Sequence, residues 1–319
     1  MSKPRVSVVI PTYNDRKWIL EAIESVHAQN YIDFEIIVVD DGSQDDTEPL
    51  LADLDNTGKI RYIKQANLGV SAARNRGVSE AAGELIAFLD ADDLFHKEKL
   101  SKQIELIDVQ PQLGFVHANF EKFDDAGNDL GLRNMDQFRG NVYPQILQEW
   151  SAIIALPTLL LPKSVFEQVG GFDEDISWGE DIDLYIRIAR KFEIDLIPET
   201  LCRVRVRPDS ASASKVGSAE SFHRVLEKAF AADDGLSSSF RDSAFAKLYI
   251  NKAQNLLGEG SYSEIRIARS YARKALGYAP GQISGWLTLV ASWMPQWLRT
   301  SLVEIVRRWR YPRSAHRTL

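Results

Sequence analysis

A single cysteine, Cys202, stands in a chain of 319 residues. One thiol excludes an internal disulfide framework and a cysteine-rich metal site, and it suits a reducing, cytoplasmic compartment. No run of eighteen uninterrupted apolar residues occurs, so a membrane-spanning helix is not expected. The opening residues, MSKPRVSVVIPTYN, lack the layout of a signal peptide. Positive charge is in deficit: 38 Lys and Arg face 45 Asp and Glu, a net charge of -7, which argues against nucleic acid as a partner. Neither G-x-x-x-x-G-K-[ST] nor G-x-G-x-x-G occurs in the first 110 residues. A phosphate bound there would be neutralised by metal and side chains rather than by a glycine-rich loop.

What is present is globular, with 45% hydrophobic and 26% charged residues. The stretch ELIAFLDADD, residues 84–93, gives an apolar run suited to a buried strand of a mainly parallel sheet, stopping at Asp90, Asp92 and Asp93. In open α/β sheets the carboxyl ends of the strands face the ligand crevice. Two acids two apart at such a strand tip can hold a hard divalent cation that also takes diphosphate oxygens. Upstream, residues 6–10 form a strand that Pro11 should break, with Asn14 or Asp15 capping the next helix. Residues 34–39 form a second strand ending at Asp40-Asp41-Gly42-Ser43, and strand, helix, strand at this spacing is a parallel βαβ unit. Residues 60–63 add a third strand, and 71–82 an Ala-rich helix stopped by Gly83. Thr12-Tyr13, Asp40-Asp41 and Asp90-Ala91-Asp92 therefore share one end of one sheet, a plausible nucleotide site. Asp40 suits capping of the Gly42 turn as well as ligand contact. Arg74 and Asn75 suit bracing of loops or contact with phosphates.

VSVVIPTYN, IIVVDDGSQDDT, NLGVSAARNRG and ELIAFLDADD, in that order, resemble the nucleotide-binding half of family-two type glycosyltransferases with the GT-A fold. GGFDED and WGEDIDLYIR extend the likeness to about Arg190. The resemblance implies inverting transfer of a sugar from a nucleoside diphosphate sugar to an acceptor, assisted by Mg or Mn. It implies that Pro11, Thr12, Tyr13 and Asp41 meet the base, that Asp90 approaches the ribose, and that Asp92 is the metal ligand. Arg74 is carried as a further nucleotide-site residue. The same resemblance assigns the base that takes the acceptor proton to Asp181; chemistry alone leaves Asp181 and Glu180 open, since helix dipole and acidic neighbour pull the pKa in opposite directions. Relatives often carry a His after the strand at residues 201–206, where this chain has Arg207. Arginine cannot ligate a cation but can clamp a diphosphate bidentately.

The acceptor half is expected to begin at residue 111 with a strand at 113–120, a hairpin turn at 123–128 and a polar loop to about 142. The apolar stretch 153–161 suits core packing or the acceptor cleft. Glu180 and Asp181 open a helix with Ile182, Ile186 and Ala189 facing inward and Asp183 and Arg187 paired on the outside. Trp178, beside Gly179, suits either stacking on a pyranose or the core. The Ser/Ala-rich run to Ser218 suits a loop closing over bound donor.

These readings give an α/β, GT-A type Rossmann-like mixed sheet at 1–218 (1–110 nucleotide-sugar half, 111–218 acceptor half) and a helical region at 219–319. Residues 245–279 resemble one tetratricopeptide-type hairpin, expected to be too short for a solenoid. Trp286, Trp293, Trp297 and Trp309, with Arg299, Arg307, Arg308, Arg310, Arg313 and Arg317, suit either an anionic membrane interface or a helix docked by its tryptophans. The expected function is transfer from a UDP-linked sugar to a glycan or lipid-linked saccharide in polysaccharide biosynthesis. The alternatives are a nucleotide-sugar-binding scaffold and a sugar-phosphate nucleotidyltransferase, the latter disfavoured because PTYN is not a Gly-rich, basic loop.

Overall fold

The structure is a computed structural model that describes residues 3–133, 138–149, 154–207, 218–258 and 260–310, with the side chains of 132, 133, 304 and 306–310 left aside. Ile153, the Ser/Ala-rich run at 208–217 and Arg313 and Arg317 lie outside the described residues, as do the side chains of Arg307, Arg308, Trp309 and Arg310. The chain divides into two compact units, 1–210 and 211–319.

The first unit runs β1 Val6–Thr12, α1 Ile19–His27, β2 Phe34–Asp40, α2 Thr47–Asn56, β3 Arg61–Lys64, α3 Val70–Glu80, β4 Leu85–Phe88 and β5 Leu94–Phe95. It continues through α4 Lys99–Val109, β6 Phe115–Phe123, β7 Asp129–Arg133, α5 Ile146–Glu149, a 3-10 turn at Leu156–Thr158, β8 Leu160–Pro162, α6 Lys163–Val169, α7 Glu180–Ala189 and β9 Ile194–Arg205. Among the described residues these strands form one mixed sheet in the order β3-β2-β1-β4-β8-β6-β9-β5, with β7 hairpinned onto β6. β3, β2, β1 and β4 are parallel, while β8 runs antiparallel to both β4 and β6. The carboxyl ends of β1, β2 and β4 therefore meet at one rim, as the apolar runs require. Buried Phe88 of β4 packs its ring on Phe166 and Phe172, and burial of such a ring contributes about 2 kcal/mol.

Three local expectations are corrected. Pro11 does not end β1: the strand runs on to Thr12, whose carbonyl accepts from Asp41 N–H at 2.9 Å. The absent N–H of Pro11 faces the β4 side, where pairing has already stopped at Val9 and Phe88, so no ladder bond is lost. Neither Asn14 nor Asp15 caps α1 with its side chain. Asn14 instead takes a left-handed conformation and accepts from Gln44 N–H, while the carboxylate of Asp15 is drawn to Arg207. Asp183 and Arg187 are not a solvated pair: Asp183 is buried, and Arg187 also donates to the Val169 carbonyl at 2.6 Å, tying α7 to the end of α6.

The second unit contains α8 Ser218–Ala231, α9 Ser238–Leu257, α10 Tyr262–Tyr278, α11 Ile283–Ala291 and α12 Gln296–Arg310. Ser261 and Glu264 form a capping box at the start of α10. The α9–α10 hairpin is not alone: Ala219, Ala291 and Val303 bring α8, α11 and α12 into the same core. α12 docks through Val303 and through Arg299, which donates to the Leu257 carbonyl at 2.7 Å. Trp286, Trp293 and Trp297 lie outside that core, 53%, 66% and 71% exposed.

Candidate active site

The turns after β1, β2 and β4, the N-terminus of α7 and the end of β9 supply the expected residues. After β2, Asp40 is fully buried; it accepts from Ser43 N–H at 2.7 Å and from the Tyr62 hydroxyl, which settles it as the cap of the turn. Burial, followed by that bond to Asp40, holds the Tyr62 phenol well above its usual range. Asp41 accepts from Gln65 Nε2 and the Leu68 and Gly69 amides at 2.8–2.9 Å, so it fixes the loop entering α3. Pro11 and Thr12 are buried, Tyr13 is 43% exposed, and the Thr12 hydroxyl has no hydrogen-bond partner among the described residues.

The β4 turn differs. Asp90 is held by Arg74, whose other guanidinium nitrogen reaches Glu180, both at 2.8 Å. Arg74 is buried over the Phe172 ring and held well above its ordinary range, its two carboxylate neighbours outweighing burial. Arg74 thus braces the β4 turn against the start of α7 through two ion pairs. Asn75 braces too, pairing with both the N–H and the carbonyl of Phe172 at 2.9 Å. Gly171, at φ +69, allows this, since a Cβ there would come within 2.8 Å of Asn75 Oδ1.

Asp92 is pushed up to about 6, first by burial and then by Asp90. Asp93, buried, accepts from Arg205 N–H at 2.8 Å and is raised by burial and then by Asp92. Arg205 in turn donates to the Asp92 carbonyl at 2.9 Å and to Glu21 at 2.6 Å. Arg207 lies between Asp92 and Asp15, 3.0 Å from each. Glycine at 179, with φ +80, lets the chain turn into α7, whose first residues are Glu180 and Asp181. Asp181 is pushed up to about 7, by burial first and then by Glu180. Trp178 is half-buried.

A chain of contacts and charges thus links Asp15, Arg207, Asp92, Asp90, Arg74, Glu180 and Asp181. These five carboxylates and Asp93 share the guanidiniums of Arg74, Arg205 and Arg207, and that of Arg205 is further engaged by Glu21 and Asp125. Such a surplus fits a divalent cation, and Asp92 stays raised by burial and by Asp90 even with Arg207 beside it. Among the described residues no three His, Cys, Asp or Glu side chains converge to chelate a metal. Sequence reasoning gives Arg205 no role, takes Asp15 for a helix cap, and names Asp93 only as one of the acids that end the β4 run.

The profile described as Glycosyl transferase family 2 matches residues 7–169. A curated relative from Rickettsia felis, described as an uncharacterized glycosyltransferase, is 41% identical over 202 residues, covering 63% of this chain and 33% of its own length. The present chain thus spans about a third of that relative. S. aureus TarS 1-349, solved with UDP-GlcNAc, superposes with a TM-score of 0.67 at 19% identity, over 96% of this chain and 92% of that one. PcManGT, a mannosyltransferase from Pyrobaculum calidifontis solved with GDP-Man and Mn2+, gives 0.60 at 19% identity, over 98% and 89%. The likeness to these structures is one of fold: a GT-A type mixed sheet flanked by helices, followed by C-terminal helices.

Proposed function

The chain belongs to glycosyl transferase family 2, and on that premise we propose that it moves a sugar, with inversion, from a UDP-linked donor to a glycan or lipid-linked saccharide in polysaccharide biosynthesis. The observation that carries this reading is the Asp90–Arg74–Glu180 clamp. It engages Glu180 in an ion pair and leaves Asp181, at about 7, as the neighbouring carboxyl tuned to take a proton near neutral pH. In this reading Asp181 removes the proton of the acceptor hydroxyl as that oxygen attacks the anomeric carbon. Pro11, Thr12, Tyr13 and Asp41 border the base, Asp90 the ribose and Arg207 the diphosphate. Trp178 and Gly179 border the acceptor. Asp92 would hold Mg or Mn, which when bound neutralises the departing diphosphate. TarS was solved with UDP-GlcNAc and PcManGT with GDP-Man, so the donor panel holds GDP-mannose beside the UDP-sugars.

A peripheral membrane contact belongs to the same reading. Ile283, Trp286, Val290, Trp293, Trp297 and Ile305 are all exposed on α11, α12 and the turn between them. Besides the buried Arg299, residues 281–319 carry five arginines against one glutamate, charge that complements an anionic lipid surface. Trp293→Ser with Trp297→Ser should lower co-sedimentation with anionic liposomes; unchanged binding removes this part.

Metal-dependent release of UDP from a panel of UDP-sugars, abolished in Asp181→Asn, is the expected result. A protein that binds UDP-sugars but never turns them over would be the scaffold of the alternative reading.

A further inference from the structure

The carboxylate read as the metal ligand already has a cation against it. Arg207 Nε stands 3.0 Å from Asp92 Oδ2, and Arg207 donates from its NH1 nitrogen to Asp15 Oδ1 at 3.0 Å. Its guanidinium also covers the Trp18 ring at 4.2 Å, and the side chain is only 17% exposed. Two acids and an aromatic face thus form a seat, and the base of that seat is firm. Arg205, two residues earlier, is bound through its backbone to Asp93 and through its side chain to the Asp92 carbonyl and Glu21.

A guanidinium and a dication repel strongly at contact distance, so they compete for the same Asp92 oxygen. A diphosphate changes the balance, because it brings its own negative charge and offers oxygens that match the planar fork of arginine. We propose that Arg207 is the resident counter-ion of Asp92, seated on Asp92, Asp15 and Trp18 in the free protein and transferred to the diphosphate when the nucleotide arrives, so that a divalent cation alone binds poorly and nucleotide and cation bind as a coupled pair. This rests on the reading of the site as a nucleotide-sugar site, and it makes Arg207 a positioning residue. The α1 turn carries the seat, so arrival of the nucleotide is reported by Trp18.

The test is a titration of the full chain with Mn2+, read by electron paramagnetic resonance with and without UDP. Arg207→Ala should bind Mn2+ alone about tenfold more tightly than wild type, and UDP in the presence of Mn2+ about tenfold more weakly. Arg207→Lys, keeping a charge but losing the fork, should stay close to wild type for Mn2+ alone and lose UDP affinity. Equal Mn2+ affinity in wild type and Arg207→Ala would overturn the proposal. A readout without change at 207 guards against a misfolded variant: Mn2+ and UDP together should alter the part of the tryptophan emission that Trp18→Phe removes, and an unaltered Trp18 contribution contradicts the transfer. Failure of the underlying reading looks different, since Asp92→Asn would then leave Mn2+-dependent UDP binding intact.

Discussion

Two acidic turns at the same sheet rim, Asp40-Asp41 after β2 and Asp90 to Asp93 after β4, look alike in sequence and differ in what answers their charge. The β2 pair is met by neutral donors: amides of Ser43, Leu68 and Gly69, the Tyr62 hydroxyl and the Gln65 amide. The β4 acids and their partner Asp181 instead crowd other acids, and Asp92, Asp93 and Asp181 are raised by burial first and then by a neighbouring carboxylate. Acids answered by backbone donors build the loop, whereas acids with unanswered charge are poised to receive a cation or a proton.

The contrast is broken most forcefully by mutation. Asp181→Asn and Asp92→Asn should each lower kcat/KM by about 10²–10³-fold while the melting temperature at pH 8 falls by no more than about 2 °C. A loss of fold in either would put that acid in the structural class. Asp40→Ala should do the opposite, costing about 2–3 kcal/mol in denaturant unfolding because the buried Ser43 N–H and the half-buried Tyr62 hydroxyl lose their acceptor. The pH dependence sharpens the distinction. Turnover should rise through an apparent pKa of about 7 as Asp181 loses its proton. The stability contribution has the reverse sign: a carboxyl that holds its proton more tightly when folded favours the fold fully below about pH 4, and that contribution is lost as pH rises through about 6 for Asp92 and 7 for Asp181. Calorimetric melts from pH 4 to 8 on wild type and both Asn variants should show it shrink in the variants. Tyr62→Phe, removing one donor to Asp40, should have the smallest effect, about 1 kcal/mol in stability.

The sheet and its rim were legible because apolar runs and the acids ending them are local patterns. Helix α7 was legible in its start, but its Asp183–Arg187 pair was misread, since i,i+4 spacing says nothing about what covers that face. Arg74 stayed ambiguous because its partner Glu180 lies 106 residues away. Asp15 looked like a helix cap because capping is judged from neighbours, whereas its carboxylate answers Arg207 from the far end of β9. The C-terminal tryptophans gave equal weight to core and surface; aromatic content alone does not choose a face, and three of them lie exposed.

Calorimetric binding of UDP in the presence of Mn2+, wild type against Asp92→Asn and Asp40→Asn, addresses the contrast between the two turns directly. The account predicts that Asp92→Asn weakens binding at least about tenfold while a folded Asp40→Asn stays within about threefold of wild type. Equal affinity in wild type and Asp92→Asn would contradict it.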